Sequence, residues 1–320
     1  MKNIKTIFYG TSDFGIPALE WLYANTNLKA IVTTPDMPAG RKMEMRVSPV
    51  KQWFLGETKG EAVILQPSNL KDKNFQEQLR KLNPDVALVA DYGKIIPAEV
   101  LDIPKYKTLN LHVSLLPKYR GASPMQTAIL NGETTSGVTL FILEPTLDTG
   151  PTIVQEKIVL DKDETYPTLH SKSAKVSADL LGKYLGDYVN GKIQPKQQNH
   201  SEATHTKLFT KEDGRIDWTK PAEEIERMVR ALNPWPGVYT NLKTQNEKLK
   251  TEDKIMKIFK AEVSNKKLAP GETLIENGRI FVGTGSNALE ILELQVSGGR
   301  RMSAKEFITG LRGEITFLHS

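Results

Sequence analysis

The sequence predicts an α/β protein with a doubly wound, mainly parallel, Rossmann-like sheet in residues 1–189 and a smaller β-barrel domain in residues 208–320. Three observations carry this. Up to residue 189, apolar β-type runs alternate with helical patterns, as crossover helices do between parallel strands. Residues 190–206, NGKIQPKQQNHSEATHT, are polar, lack apolar periodicity, and read as a linker ending at residue 207. From Leu208 onward one helix precedes several short strands separated by turn residues, the rhythm of a small barrel.

Residues 3–9 are rich in β-formers and make the first strand. A turn over 10–15 then leads into a helix opening near Ile16-Pro17. Such a turn can cradle an anion, but it lacks the full G-x-G-x-x-G spacing and argues only weakly for a dinucleotide. Residues 28–34 form the second strand. The stretch that follows, PDMPAGRKMEMRVSP over 35–49, holds too much Pro, Gly and charge for an element and is expected as a long exposed loop. Arg41, Lys42 and Arg46 in it either meet phosphates or form a solvated face. Ser48 opens a helix to about residue 58, a favourable capping residue. A strand over 62–65, a helix over 71–82 and a strand over 86–90 continue the alternation, the last ending at Asp91-Tyr92-Gly93.

Residues 106–113, YKTLNLHV, read as a buried strand ended by Ser114 and Pro117. Side chains alternate along it, so Leu109, Leu111 and Val113 point one way while Asn110 and His112 point the other. Ligands of open α/β sheets bind at such strand ends, the crevice that Tyr92 and Gly93 would also flank. After a helix over 124–131 and a strand over 138–141 comes Leu147-Asp148-Thr149-Gly150, then a strand over 152–159 and a long helix over 167–188. Its Leu169, Ala174, Leu180, Leu181 and Leu185 make one packed face. The C-terminal part is expected to hold a helix over 221–232 and strands over 238–240, 254–261, 272–275, 279–282 and 289–295.

Asn110, His112 and Asp148 are the candidate catalytic residues. Each alone has an ordinary reading: a capping amide, a satisfied buried histidine, an Asx turn. As a set they fit acyl chemistry without a covalent intermediate, with Asn110 donating to an oxyanion, His112 as acid/base and Asp148 orienting the imidazole. Zero cysteines exclude a disulfide framework, a thiolate metal site and a cysteine nucleophile. His200 and His205 lack the spacing and carboxylate support of a metal pair, so no metal is expected. No P-loop, G-x-S-x-G elbow or EF-hand loop is present. The chain has 39% hydrophobic and 25% charged residues and no apolar stretch of membrane-spanning length, so it is expected to be cytoplasmic. A net charge of +5 and a pI of about 9.0 lean modestly toward a polyanionic partner.

The motifs N-x-H, S-L-L-P, R-G-A-S-P and L-D-T-G, with Phe8-Tyr9-Gly10-Thr11, resemble the folate-dependent formyltransferases. The proline-rich 35–49 stretch and Asn233-Pro234-Trp235-Pro236-Gly237 narrow the resemblance to those whose acceptor is initiator methionyl-tRNA. The resemblance implies an OB-like C-terminal domain and 10-formyltetrahydrofolate as co-substrate; the chain is expected to be a monomer. It places Ser114, Leu115, Leu116, Pro117 and Tyr92 at the folate site and Arg41, Lys42 and Arg46 at the tRNA. Val113 and Asp91 stand where the family usually has glycine and alanine, and Glu44 interrupts a usually more basic segment. The rival readings are an amino-sugar-nucleotide formyltransferase, a formyl-folate hydrolase, and a nucleic-acid-binding protein with a decayed site.

Overall fold

A computed structural model describes residues 1–39, 44–58, 62–246, 249–310 and 314–317. The chain divides into two compact units. The first comprises Met1–Pro124, Thr135–Val159 and Leu169–Thr206, and the second Met125–Thr134, Leu160–Thr168 and Lys207–Ser320.

The first unit is built on a sheet of β1 (Lys5–Gly10), β2 (Asn27–Val32), β3 (Val63–Leu65), β4 (Val86–Ala90), β5 (Thr108–His112), β6 (Thr135–Ile142) and β7 (Thr152–Val159). Their spatial order is β7-β6-β5-β4-β1-β2-β3. The first five strands run parallel, and β6 and β7 add an antiparallel extension beside β5. Strand order reverses at β1, so the crevice lies at the carboxyl ends of β1 and β4 and extends to β5. All five residues of β4 are buried, as expected of a parallel strand covered on both faces.

Helices α1 (Ile16–Asn25), α2 (Pro49–Glu57), α3 (Lys73–Leu82) and α4 (Ala98–Leu101) alternate with these strands. The Ser48 hydroxyl caps α2 by accepting from the Lys51 N–H at 3.1 Å, and Asp72 caps α3 by accepting from the Asn74 N–H at 2.7 Å. Ile7, Tyr9, Val32, Phe75, Leu79 and Val89 belong to one buried core between sheet and helices. After α5 (Pro124–Leu130), the long α6 (Tyr166–Val189) buries the five residues that the sequence predicts, together with Ser173 and Ser177.

Helix α4 and, in the second unit, the helix Ala304–Gly310 and the strand Glu314–Phe317 were not expected from the sequence, and two longer stretches of the first unit also depart from expectation. In 35–49, Met37–Ala39 and Glu44–Arg46 pair as a short antiparallel ribbon, Met37 opposite Arg46 and Ala39 opposite Glu44. A local ladder satisfies its own backbone groups and needs no apolar burial, so it leaves no hydrophobic pattern in the sequence. Met37 and Met45 stay exposed. The Asp36 carboxylate pins the base of the ribbon, accepting from Lys51 Nζ at 2.6 Å and Gln66 Nε2 at 2.8 Å. Arg41 and Lys42 lie outside the described residues.

The second departure is 190–206, which is no free tether. Lys196 bridges Thr152, Gln198 is buried, and His205–Thr206 pairs in parallel with Arg120–Gly121. Hydrogen bonds hold this strap, and they need no apolar periodicity in the sequence.

The second unit contains α7 (Ala222–Leu232) and an antiparallel sheet of β8 (Val238–Asn246), β9 (Leu249–Ser264), β10 (Thr273–Glu276), β11 (Arg279–Gly283), β12 (Ala288–Val296) and β13 (Glu314–Phe317), with α8 (Ala304–Gly310) before the last strand. The order is β10-β11-β12-β9-β8-β13, and the two end strands approach one another, which gives the sheet its OB-like curl. Bulges on either side of Lys260 bend β9. Strands β8 and β9 run well beyond the expected 238–240 and 254–261. Their continuations, NLKTQN and LKTED, are polar and extend the ladder by pairing with each other.

Candidate active site

Asn110 lies opposite Phe141 on β6 and beside Val89 on β4, and His112 lies opposite Thr139. Cross-strand partners share a face, so amide, imidazole, Thr139 and Phe141 all point to one side of the sheet. The Phe141 ring stands edge-on to the imidazole at 6.3 Å. The Asn110 amide makes no hydrogen bond to the described residues, which leaves its donors for a ligand.

The buried His112 ring has its Nε2 2.9 Å from the Tyr119 carbonyl. A carbonyl only accepts, so the proton of the neutral ring sits on Nε2 and the lone pair on Nδ1. That nitrogen faces Asp148 Oδ2 at 3.7 Å, too long for a hydrogen bond but within ion-pair range once Nδ1 is protonated. Asp148 is buried and takes a left-handed backbone with φ 52°, and its Oδ2 accepts from the Gly121 N–H at 2.8 Å. Sequence reasoning singled out all three residues, and the structure brings them together. It missed the Tyr119 carbonyl and the Gly121 N–H, which as main-chain groups leave no trace in residue identity.

The 114–117 loop is held from below by two strand residues that sequence reasoning also missed. Thr139 Oγ1 donates to the Ser114 carbonyl at 2.6 Å and accepts from the Leu116 N–H at 3.2 Å, while Gln155 Nε2 donates to the Leu116 carbonyl at 2.7 Å. Their one signal is a pair of polar residues at facing positions of two adjacent strands, since Gln155 pairs with Thr139. The Ser114 hydroxyl is spent on the Lys118 carbonyl at 2.6 Å, and Leu115 packs on Gly137, where an added Cβ would come within 2.5 Å of it. The Leu116–Pro117 peptide is cis.

Tyr92 follows the carboxyl end of β4, but its ring turns away into the core. Asp91 turns the chain with φ 49°, and the Tyr92 ring lies in the core, edge-on to Tyr9 at 5.5 Å, its hydroxyl without a hydrogen-bond partner among the described residues. Burial pushes that phenol up to about 12. The neighbouring backbone faces β1 instead: the Asp91 carbonyl accepts from the Thr11 N–H and the Tyr92 carbonyl from the Thr11 hydroxyl, both at 3.0 Å. Arg46 is exposed on the second strand of the ribbon. His200 Nδ1 lies 2.9 Å from the Arg120 guanidinium. Among the described residues no group of three His, Cys, Asp or Glu side chains is placed to hold a metal ion.

An amide, an imidazole and a carboxylate at the mouth of a doubly wound sheet are groups that chemistry at a carbonyl carbon can use. The chain belongs to the formyl transferase family: residues 6–185 match the formyl transferase model and residues 208–312 its C-terminal domain. It is 40% identical over 311 residues to the methionyl-tRNA formyltransferase of Caldanaerobacter subterraneus subsp. tengcongensis, covering 96% of this chain and 97% of that protein. To the methionyl-tRNA formyltransferase of Chloroflexus aurantiacus it is 40% identical over 316 residues, covering 97% and 98%. Among solved structures, the N-formyltransferase of Helicobacter canadensis in complex with folinic acid and dTDP-3-aminofucose superposes with a TM-score of 0.64 at 19% identity, covering 94% of this chain and all of that one. HypX of Aquifex aeolicus in complex with tetrahydrofolic acid gives 0.61 at 18% identity, covering 98% of this chain and 49% of that one. At these identities the structural likenesses establish the fold alone.

Proposed function

We propose that the protein transfers the formyl group of 10-formyltetrahydrofolate to the α-amino group of initiator methionyl-tRNA, giving N-formylmethionyl-tRNA for translation initiation. The observation that carries the chemistry is the uncommitted Asn110 amide on the same strand face as His112. The acceptor is supported by the near-full-length relatives and by Asn233-Pro234-Trp235-Pro236-Gly237, in which Trp235 is exposed.

The amine attacks the formyl carbon, its C–N bond forming as the carbonyl π bond opens onto oxygen. Asn110 Nδ2 donates to that oxygen. His112 Nδ1 takes the proton lost by the attacking nitrogen, and the Asp148 carboxylate 3.7 Å away pairs with the imidazolium that results. Collapse breaks the bond to folate N10, which leaves with the proton. Ser114, Leu115, Leu116 and Pro117 form one wall of the folate site, fixed by Thr139 and Gln155. The backbone at Tyr92 and Gly93 forms another, while Arg41, Lys42 and Arg46 meet tRNA phosphate. The amide and imidazole supply the polarisation and proton handling, so the reaction needs no metal.

We take residues 1–189 as the catalytic domain, 190–207 as the connecting strap and 208–320 as the tRNA-binding domain of a cytoplasmic monomer. Among the described residues no helix is long and apolar enough to cross a membrane.

Incubation of the protein with 10-formyltetrahydrofolate and methionyl-tRNA tests the reading. Wild type should form formylmethionyl-tRNA, and Asn110→Ala and His112→Ala should each lose on the order of 100- to 1,000-fold in kcat. Folate binding without product on methionyl-tRNA, but with turnover of an amino-sugar nucleotide, would replace the acceptor.

A further inference from the structure

The strap completes the active site, and we infer that Gln198 is a positioning residue for Asp148. This rests on the catalytic role given to Asp148 above. A non-glycine residue in a left-handed conformation persists only where its surroundings hold it. At Asp148 the hold comes from one side chain, because Gln198 Nε2 donates to the carbonyls of both Asp148, at 2.9 Å, and Gly150, at 2.7 Å. Gly150 is pressed against the end of β6, where an added Cβ would stand 1.9 Å from the Ile142 carbonyl, so the turn has no alternative seat.

The orientation of the Gln198 amide follows from its other partner. Its Oε1 accepts from Arg120 Nη2 at 2.7 Å and Nε at 3.3 Å, and a guanidinium only donates, which leaves Nε2 for the carbonyls. Arg120 is itself buried at 4% exposure and forms no ion pair with the described residues. Its anchors are Gln198, His200 Nδ1 at 2.9 Å, and the Thr204 carbonyl, which accepts from its N–H at 2.8 Å. A buried cation spent on neutral partners calls for a reason, and orienting the amide that clamps the Asp148 turn supplies one. The next residue, Gly121, binds the Asp148 carboxylate through its N–H, so Arg120 and Gly121 fix both the backbone and the side chain of Asp148.

The test is Gln198→Glu, which keeps an acceptor for Arg120 but loses both donors. The variant should fold with a urea midpoint lowered by the loss of two buried hydrogen bonds, lose about 10- to 100-fold in kcat under conditions where it stays folded, as small displacements of catalytic groups do, and keep KM for folate and acceptor within about twofold. That loss should vanish in an Asp148→Asn background, because a residue acting through Asp148 has nothing left to position. Amide hydrogen exchange gives a readout independent of any acceptor. The Gly121 N–H should exchange about tenfold faster or more in Gln198→Glu, while the Arg120 N–H, bonded to Thr204, stays as in wild type. Wild-type kcat with unaltered Gly121 exchange would overturn the inference, and so would losses that multiply in the double variant. If wild type formylates nothing, the proposed function fails while the exchange measurement still decides the role of Gln198. Should Gln198→Glu not fold, His200→Ala at the exposed end of the relay should show a smaller loss in the same direction; wild-type kcat and exchange there would count against the relay.

Discussion

The Tyr92 hydroxyl is buried with no partner among the described residues, so its removal should cost nothing. Tyr92→Phe is expected to be neutral or to stabilise by up to about 1 kcal/mol, because an unsatisfied buried polar group carries a desolvation penalty. It should also leave KM for folate unchanged, since the ring faces the core. The sign of the pH effect follows from burial. The folded-state phenol titrates near 12 against an ordinary 10.0, so its contribution is fully present below pH 10.0 and is lost as pH rises toward 12. Tyr9, also raised by burial, acts in the same direction. Urea unfolding at pH 7 and above pH 10 should therefore show a shallower alkaline loss in Tyr92→Phe than in wild type. At this scale Asn110 and His112 were legible because strand alternation alone puts them on one face. The direction of the Tyr92 ring was not, because it depends on a left-handed turn at Asp91 that no residue type there demands.

The ribbon at 37–46 shows how an element can escape the sequence. Met37, Met45 and Arg46 of its two three-residue strands stay exposed, and what seats the strands is Asp36, joined to Lys51 on α2 and Gln66 after β3. The Lys51 and Gln66 hydrogen bonds hold the Asp36 carboxyl below its ordinary 3.8, so the clasp is present above that pH and weakens as pH falls below it. Asp36→Asn should raise KM for methionyl-tRNA while leaving KM for folate within about twofold, because the ribbon carries Arg46 and no residue of the 114–117 loop. Steady-state kinetics with each substrate varied in turn decides it. The strap over 196–206 escaped for a related reason. Its order comes from hydrogen bonds to Asp148, Arg120 and Thr152, and such bonds have no periodicity.

The whole molecule carries a net charge of only +5, so affinity for a polyanion must come from local placement of cations. Each phosphate neutralised adds ~0.9 to the slope of log affinity against log salt, so five contacts would cost about 500-fold between 0.05 and 0.2 M salt. Filter binding of methionyl-tRNA across that range should give a slope of several units. A slope near zero would argue against a tRNA acceptor.

The sequence by itself determined the α/β class, the barrel-like C-terminal unit, the strands and helices of the central sheet except α4, and the three catalytic candidates; α8, β13 and the 37–46 ribbon were not read from it. The features it did determine depend on local propensity and on periodicities of 2 and 3.6 residues, which are written in residue types. Only the tertiary structure decided which main-chain groups serve the site, where Tyr92 points, how Thr139 and Gln155 fix the 114–117 loop, and that Gln198 reaches Asp148 from 50 residues away. Those contacts join segments remote in sequence through carbonyls and N–H groups that every residue possesses, so they come into being only when the sheet brings the segments together.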